Sequence, residues 1–219
     1  MKGFFRYDGP FFSTMSRVFD LVVLNWLWLL LSLPIVTIGA STTALYTVTL
    51  RMARDEDSHN IRSFFQAFAG NFKRATLLWV LYALVGGWLL AGAYAMSHGA
   101  VPVLKGLAIV EAGLFLILLL GLLYLFPLQA RFINSVRGTI AAAQTLALRH
   151  LPASLLMVAI VAAQVLLAAY AAPLRGWLVL FWVMLGASGT AFLCSKVLES
   201  VFRKELGQKE RDPVPAVRN

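Results

Sequence analysis

Residues 21–50 read LVVLNWLWLLLSLPIVTIGASTTALYTVTL and contain no Asp, Glu, Lys or Arg. As one straight α-helix this stretch would be about 45 Å long, well beyond the ~30 Å hydrocarbon core of a bilayer. Pro34 and Gly39 lie inside it, and a proline both removes a backbone donor and clashes with the preceding helical turn. The stretch therefore predicts either one broken crossing or a hairpin of two.

The rest of the chain has the composition of a membrane protein. Of its 219 residues, 60% are hydrophobic and 13% are charged, whereas soluble domains are about half apolar and a quarter charged. The single cysteine, Cys194, excludes an internal disulfide. Four further uncharged stretches each suit one membrane span: 75–104, 112–130, 151–174 and 176–195. These features predict an all-α, polytopic helical membrane protein.

The distribution of basic residues favours the hairpin. A hairpin gives about six transmembrane helices and places 17 of the 19 Lys and Arg residues on one side, with only Lys105 and Arg175 on the other. A single broken crossing gives a split of 14 to 5. Since positive charge is retained in the cytoplasm, we expect a multi-pass membrane protein with both termini cytoplasmic. The second arm, residues 40–52, is short and rich in threonine, so a partial or tilted span stays open.

Two segments between the spans have the pattern of amphipathic helices. Five apolar residues share one helical sector of about 100°: Ile61, Phe64, Phe65, Phe68 and Phe72. A second, less regular pattern covers residues 131–149. Both predict basic amphipathic helices on the inner membrane face. The net charge of +9 is accordingly interpreted as a signal that sets the membrane topology and attracts anionic lipids of the inner leaflet. No nucleic-acid partner is expected.

Three polar residues lie in or near the predicted spans, where charge is costly. Asp20 comes three residues after Arg17, so a local ion pair is expected. Asn25 lies deeper and is expected to hydrogen-bond a neighbouring helix. Glu111 falls about one turn into its span on the outer side. It is either a proton or cation site, or an interfacial carboxylate that reaches water or Lys105.

Small residues recur at every fourth position of the second uncharged stretch, at Ala83, Gly87, Ala91 and Ala95. Such a ridge lets two helices approach closely and predicts helix packing.

The sequence carries no pattern of catalysis or metal binding. The three histidines lie in different predicted loops, and there is no phosphate-binding or nucleophile motif. We therefore expect a protein that is not an enzyme and takes no metal or cofactor. Residues 1–203 are expected to form a single transmembrane domain, and residues 204–219, with Pro213 and Pro215, a disordered cytoplasmic tail.

Several short stretches together resemble the YesL-like family of bacterial integral membrane proteins, a domain of unknown function. The stretches that carry the resemblance are GFF at 3–5, DGP at 8–10, LN at 24–25, SLPIVTIGAS at 32–41, ALY at 44–46, RMARD at 51–55, SFFQAF at 63–68, NFK at 71–73, PL at 127–128 and ARF at 130–132. The resemblance runs to about Arg203 and is most specific over residues 32–41.

The family's members often accompany genes for sugar ABC transport and plant-polysaccharide utilisation in Gram-positive bacteria. The resemblance thus implies an accessory or regulatory role in carbohydrate (oligosaccharide) uptake or utilisation. The expected partner is a sugar ABC permease or a sensor protein, with self-association as a further expectation. The resemblance also implies that Pro34 and Gly39 belong to a structural membrane turn. The alternative hypothesis is a small secondary transporter or channel, with Glu111 in its mechanism.

Overall fold

The computed structural model describes residues 10–56, 60–98, 102–132, 135–170 and 175–211, and the regular structure within them is helical. The α-helices are α1 (Pro10–Ser32), α2 (Ile38–Ala53), α3 (Asn60–Ser97), α4 (Pro102–Arg131), α5 (Val136–Arg149), α6 (Leu151–Tyr170), α7 (Arg175–Phe181) and α8 (Ala187–Arg211). A 3-10 turn, Ile35–Thr37, precedes α2, and a π-helical turn, Trp182–Gly186, joins α7 to α8.

Helices α1 and α2 form an antiparallel hairpin. The Nε1 of Trp28 donates to Thr42 Oγ1 at 3.1 Å near the closed end. At the open end, Arg17 forms an ion pair with Asp55 at 2.5 Å. The chain thus reverses within residues 32–38, as the hairpin interpretation predicts. That each arm crosses the bilayer stays a prediction, because the 16 residues of α2 are only about 24 Å long.

The turn of this hairpin is closed by side chains that replace the missing helical hydrogen bonds. Pro34 caps the 3-10 turn in an extended conformation. The hydroxyl of Thr37 lies 2.5 Å from the carbonyl oxygen of Leu31 and 2.7 Å from that of Pro34. The indole of Trp79, on α3, donates to the Ile35 carbonyl at 2.8 Å. An unsatisfied backbone group in hydrocarbon costs several kcal/mol, so these contacts allow the reversal at this depth.

Helix α2 is the centre of the bundle and packs against α1, α3, α4 and α8. Its approach to α3 is closest at Gly39, where a Cβ would lie 2.6 Å from the Cβ of Trp79 and also overlap the carbonyl oxygen of Ala75. Only a residue without a side chain fits there. Gly39 thus lies in the first turn of α2, and its contact with α3 is a packing role that differs from the expected place in the membrane turn.

Helix α3 changes the interpretation of the first amphipathic segment. The helix runs unbroken from Asn60 to Ser97, about 57 Å, so residues 61–72 are its first part and do not form a separate surface helix. These residues lie along α2: Arg51 reaches Ser63 at 3.3 Å, and Phe64 is fully buried. The phenylalanine face is thus partly covered by the protein itself.

The second amphipathic segment does form a helix of its own. Helix α5 meets α6 at a bend of 95°. Its inward face is nevertheless covered by protein, because Thr139, Ala143 and Ala147 are fully buried and the helix packs mainly on α4. Ile133 and Asn134, which belong to the predicted pattern, lie outside the described residues.

Four helical stretches are long and apolar enough to cross a membrane: Thr14–Leu31, Asn60–Ser97, Val103–Arg131 and Gly176–Gly207. The bent pair of α5 and α6 is a fifth candidate. The chain thus has the architecture of a helical membrane protein with four or five candidate spans, and the count of six stays a prediction.

Basic residues from four parts of the chain meet at one end of the bundle, which we call the basic end (Arg17, Arg54, Arg131 and Arg203). Arg54, Arg131 and Arg203 all reach the carboxylate of Glu199 on α8. Helix α8 continues from there to Arg211, so residues 204–211, which were expected to be disordered, are helical. Residues 212–219, with both tail prolines, lie outside the described residues.

Candidate functional site

A cavity of about 600 Å³ lies between the first hairpin, α6 and the junction of α7 with α8. Its wall is mostly apolar, and none of the described residues that line it is acidic or basic. The polar contributions come from Thr42, Tyr46, Gln164 and Thr190. These four groups can hydrogen-bond a ligand, and the ring of Tyr46 can also stack on it, which fits binding better than proton transfer.

One wall of the cavity is the π-helical turn Trp182–Gly186, where the helix from α7 to α8 gains one residue per turn. The indole of Trp182 lies over Gly186, where a Cβ would come within 2.6 Å of its ring. The same indole meets Trp28 edge to face at a centroid distance of 6.3 Å. Turns of this type occur often at functional sites, which supports the choice of this cavity.

Asn25 holds the π-helical turn in place from α1. The side chain is fully buried. Its Nδ2 donates to the carbonyl oxygens of Val183 at 2.7 Å and Trp182 at 3.3 Å. Its Oδ1 accepts from the backbone N–H of Ser188 at 3.0 Å. The expectation that Asn25 hydrogen-bonds a neighbouring helix is confirmed. The amide bonds backbone groups at the point where the π-helical turn interrupts the α-helical hydrogen-bond pattern.

Across the cavity, Gln164 of α6 is joined to Thr190 of α8 by a hydrogen bond from its Nε2. The Thr190 hydroxyl also lies 2.5 Å from the carbonyl oxygen of Gly186, inside the π-helical turn. The polar groups of the cavity are therefore tied to the same irregular backbone that Asn25 supports from the opposite side.

Glu111 lies elsewhere, on the contact between α3 and α4. It is in the third turn of α4, about 13 Å along the axis from Pro102. Its carboxylate packs against the backbone of Gly92. Its Oε2 is buried and has no hydrogen-bond partner among the described residues. Lys105, which one of the two interpretations offered as a partner beside water, forms no ion pair with Glu111 within the described part of the chain.

Asp20 does not pair with Arg17, so the expected local ion pair is wrong. Arg17 instead bridges to Asp55 at the end of α2. Asp20 accepts a hydrogen bond from Asn60 Nδ2, at the start of α3, at 2.8 Å. Arg17 and Asp20 thus each contact a different part of the chain at the open end of the first hairpin. The spacing of residues within α1 does not reveal these partners.

The ridge of Ala83, Gly87, Ala91 and Ala95 faces outward, and all four residues are exposed. Helix α3 packs on α4 through a different face, with Gly86 against the ring of Phe115. The prediction that the ridge packs helices is therefore not fulfilled within the chain. A second set of small residues, Ala191 and Ser195, is buried instead.

Sequence reasoning missed two features of these sites. The π-helical turn has no signal of its own in the local sequence. Glu199 does have one, because Arg203 follows it at the i+4 spacing of a helical ion pair. It is the acidic residue on which three arginines converge.

Comparison with known families gives one match. Residues 21–93 match the family described as "Protein of unknown function, DUF624". The match covers about a third of the chain, from Leu21 in α1 through the turn and α2 to Ala93 in α3. Comparison with curated proteins and with solved structures gives no match.

Proposed function

We propose that this chain is a non-catalytic, multi-pass protein of the bacterial cytoplasmic membrane that works as an accessory or regulatory component of carbohydrate uptake. It belongs to the YesL-like group, crosses the membrane six times and has both termini in the cytoplasm. The family resemblance supplies the link to carbohydrate uptake, and the partner is a sugar ABC permease or a sensor protein.

The observation that carries the proposal is the outward-facing ridge of α3. Beyond the turn of the first hairpin, α3 and α4 continue together and pack mainly on each other. Most of their residues there are exposed, including Ala91 and Ala95. Lipid chains are as apolar as the side chains they surround, so small residues on such a surface favour close approach of another helix. This two-helix arm supports a role in binding a partner.

The basic end supports the proposed orientation. The start of α1 contacts the end of α2 through Arg17 and Asp55, and Arg54 and Arg131 reach α8 at Glu199. The first hairpin, the connection before α5 and the last helix thus place their basic residues together. Retention of positive charge in the cytoplasm would put this end, with both termini, on the inner side.

Replacing Ala91 and Ala95 with leucine is expected to remove the partner without unfolding the chain. Leucine at these positions projects outward from the arm, where it meets no other part of the described protein. Co-purification from native membranes under mild detergent, followed by mass spectrometry, should recover a stoichiometric permease or sensor subunit with the natural chain. At least a tenfold lower recovery is expected with the double variant.

Ala112→Leu is the matched control, since Ala112 is an exposed residue on α4 of the same arm. Recovery of the partner should be unchanged in that variant. Equal recovery with all three proteins would exclude the ridge as the interface, and isolation of the natural chain alone would argue against the accessory role.

The second candidate function is a small secondary transporter or channel, favoured by the buried Glu111 oxygen without a partner. Glu111 and the 600 Å³ cavity lie in different parts of the bundle, which makes this candidate the weaker one. If the chain moves protons or cations, Glu111→Gln should reduce flux into liposomes at least tenfold. Full flux in the variant would remove Glu111 from the mechanism, and Gln164→Leu in the cavity is the comparison variant.

A further inference from the structure

A second cavity, of about 550 Å³, opens at the basic end between α1, the end of α2 and α8. It is distinct from the cavity at the π-helical turn and shares no lining residue with it. Four basic and two acidic side chains line it: Arg17, Lys196, Arg203, Lys204, Asp55 and Glu199. The lining thus has an excess of positive charge.

The two carboxylates of the lining already have cationic partners. Asp55 forms an ion pair with Arg17 of α1 at 2.5 Å. Glu199 is nearly fully buried, with Arg131 directly hydrogen-bonded to it and Arg54 at 3.8 Å. Because each carboxylate is neutralised by arginine, neither offers a free negative charge to the lysines of the cavity, and an added anion would meet little repulsion.

Two lysines of the lining lie on the same side of α8, about 12 Å apart along the helix axis. Lys196, Ser200 and Lys204 follow one another at intervals of four residues on α8, which places them along one face of the helix. All three are exposed toward the cavity side. The Lys196 ammonium lies 5.0 Å from the centroid of the Phe192 ring, one helical turn toward the N-terminus of α8, in a cation–π contact.

We propose that this cavity binds a phosphate group, with the ammonium groups of Lys196 and Lys204 as its principal partners. A phosphate offers several acceptor oxygens to the six N–H donors of two lysines. Basic pockets between transmembrane helices on the cytoplasmic side are suited to the head groups of anionic lipids. The place of Lys196, directly after the last uncharged span, favours a phospholipid as the source over a soluble phosphate ester.

The test uses the purified full-length chain in phosphatidylcholine nanodiscs or matching detergent. Binding of phosphatidylglycerol and of glycerol 1-phosphate is measured separately, by native mass spectrometry and by the shift in melting temperature. The double variant K196Q/K204Q is expected to lower the affinity for phosphate-bearing ligand by about thirtyfold, since each lysine near such a surface contributes a comparable share. Tight binding of phosphatidylglycerol with no effect of glycerol 1-phosphate identifies a lipid head group. Comparable affinity for both identifies a soluble ester.

The variant K73Q/R74Q is the matched control, because it removes the same charge from an exposed part of α3 outside the cavity. Its affinity should stay within twofold of the natural chain. The single variant K204Q keeps the Lys196–Phe192 contact and should still weaken binding several-fold if the double variant folds poorly. Equal losses in the two double variants, or no binding of either ligand to the natural chain, would overturn the proposal.

Discussion

Replacing Gly39 with alanine is expected to destabilise the protein by about 2 kcal/mol, although alanine is the better helix former. The added Cβ would lie 2.6 Å from the Cβ of Trp79 and overlap the carbonyl oxygen of Ala75. Both atoms belong to or adjoin the backbone of α3, so relief requires the two helices to separate. Overpacking of this kind costs about 1–3 kcal/mol or more, while the helix propensity of alanine returns at most about 1 kcal/mol. Thermal or SDS-induced unfolding in detergent would measure the difference.

Gly70→Ala is expected to change the unfolding free energy in the opposite direction. Gly70 lies inside α3, and a Cβ there would meet no atom within 4 Å. Only the propensity term remains, so this variant should gain about 0.5–1 kcal/mol. A gain in both variants would mean that α2 and α3 are not in close contact at Gly39. The contact between Gly39 and α3 lies within residues 21–93, the part of the chain that matches the known family. We expect the fold of this part to depend on it.

The reversal at Pro34 could be predicted because two independent constraints converge on it. The proline cannot continue the helix, and a single crossing would place the N-terminal basic residues opposite the others. The structure adds what the pattern does not contain, namely the bonds from Thr37 and Trp79 that satisfy the free carbonyl oxygens. The Thr37 bonds are local to the turn, whereas the Trp79 bond depends on how α3 docks, which is a tertiary property.

The extent of α3 could not be predicted from its amphipathic pattern. A stripe of apolar residues shows which side chains avoid water, but it does not distinguish lipid from protein as the cover. Phe64 is fully buried in the bundle, while its neighbour Phe65 is exposed. The sequence has no strong helix breaker between the amphipathic segment and the following span. The helix therefore continues through Gly70 without a break.

The two sets of small residues show the same limit. Ala91 and Ala95 on α3 have the spacing of Ala191 and Ser195 on α8, yet the first pair is exposed and the second is buried. Ser195 even forms a hydrogen bond with Thr49 of α2, at 2.9 Å. Spacing alone identifies a surface that allows close approach. Whether the approaching helix belongs to the same chain follows only from the fold.

Asn25→Leu is expected to destabilise the protein by about 3 kcal/mol, more than any other single change considered. The variant keeps the number and branching of the side-chain heavy atoms, although its methyl groups are bulkier than the amide. It removes three hydrogen bonds, two to carbonyl oxygens of the π-helical turn and one from the N–H of Ser188. The N–H of Ser188, which is fully buried, and the carbonyl oxygen of Val183, which is partly buried, would each lose a hydrogen bond to the amide of Asn25. Each buried polar group left unsatisfied costs about 1–3 kcal/mol, and no water is available in hydrocarbon to replace the amide.

Leu30→Ala is the control on the same helix, because Leu30 is 57% exposed and faces away from the bundle. Its unfolding free energy should change by less than about 1 kcal/mol. If Asn25→Leu is as stable as this control, the π-helical turn must hold its shape without the amide. If it is much less stable, a single polar residue of α1 fixes the irregular turn that forms one wall of the 600 Å³ cavity. Asn25 then has a structural role, because it holds the π-helical turn from α1 and so sets the shape of the cavity.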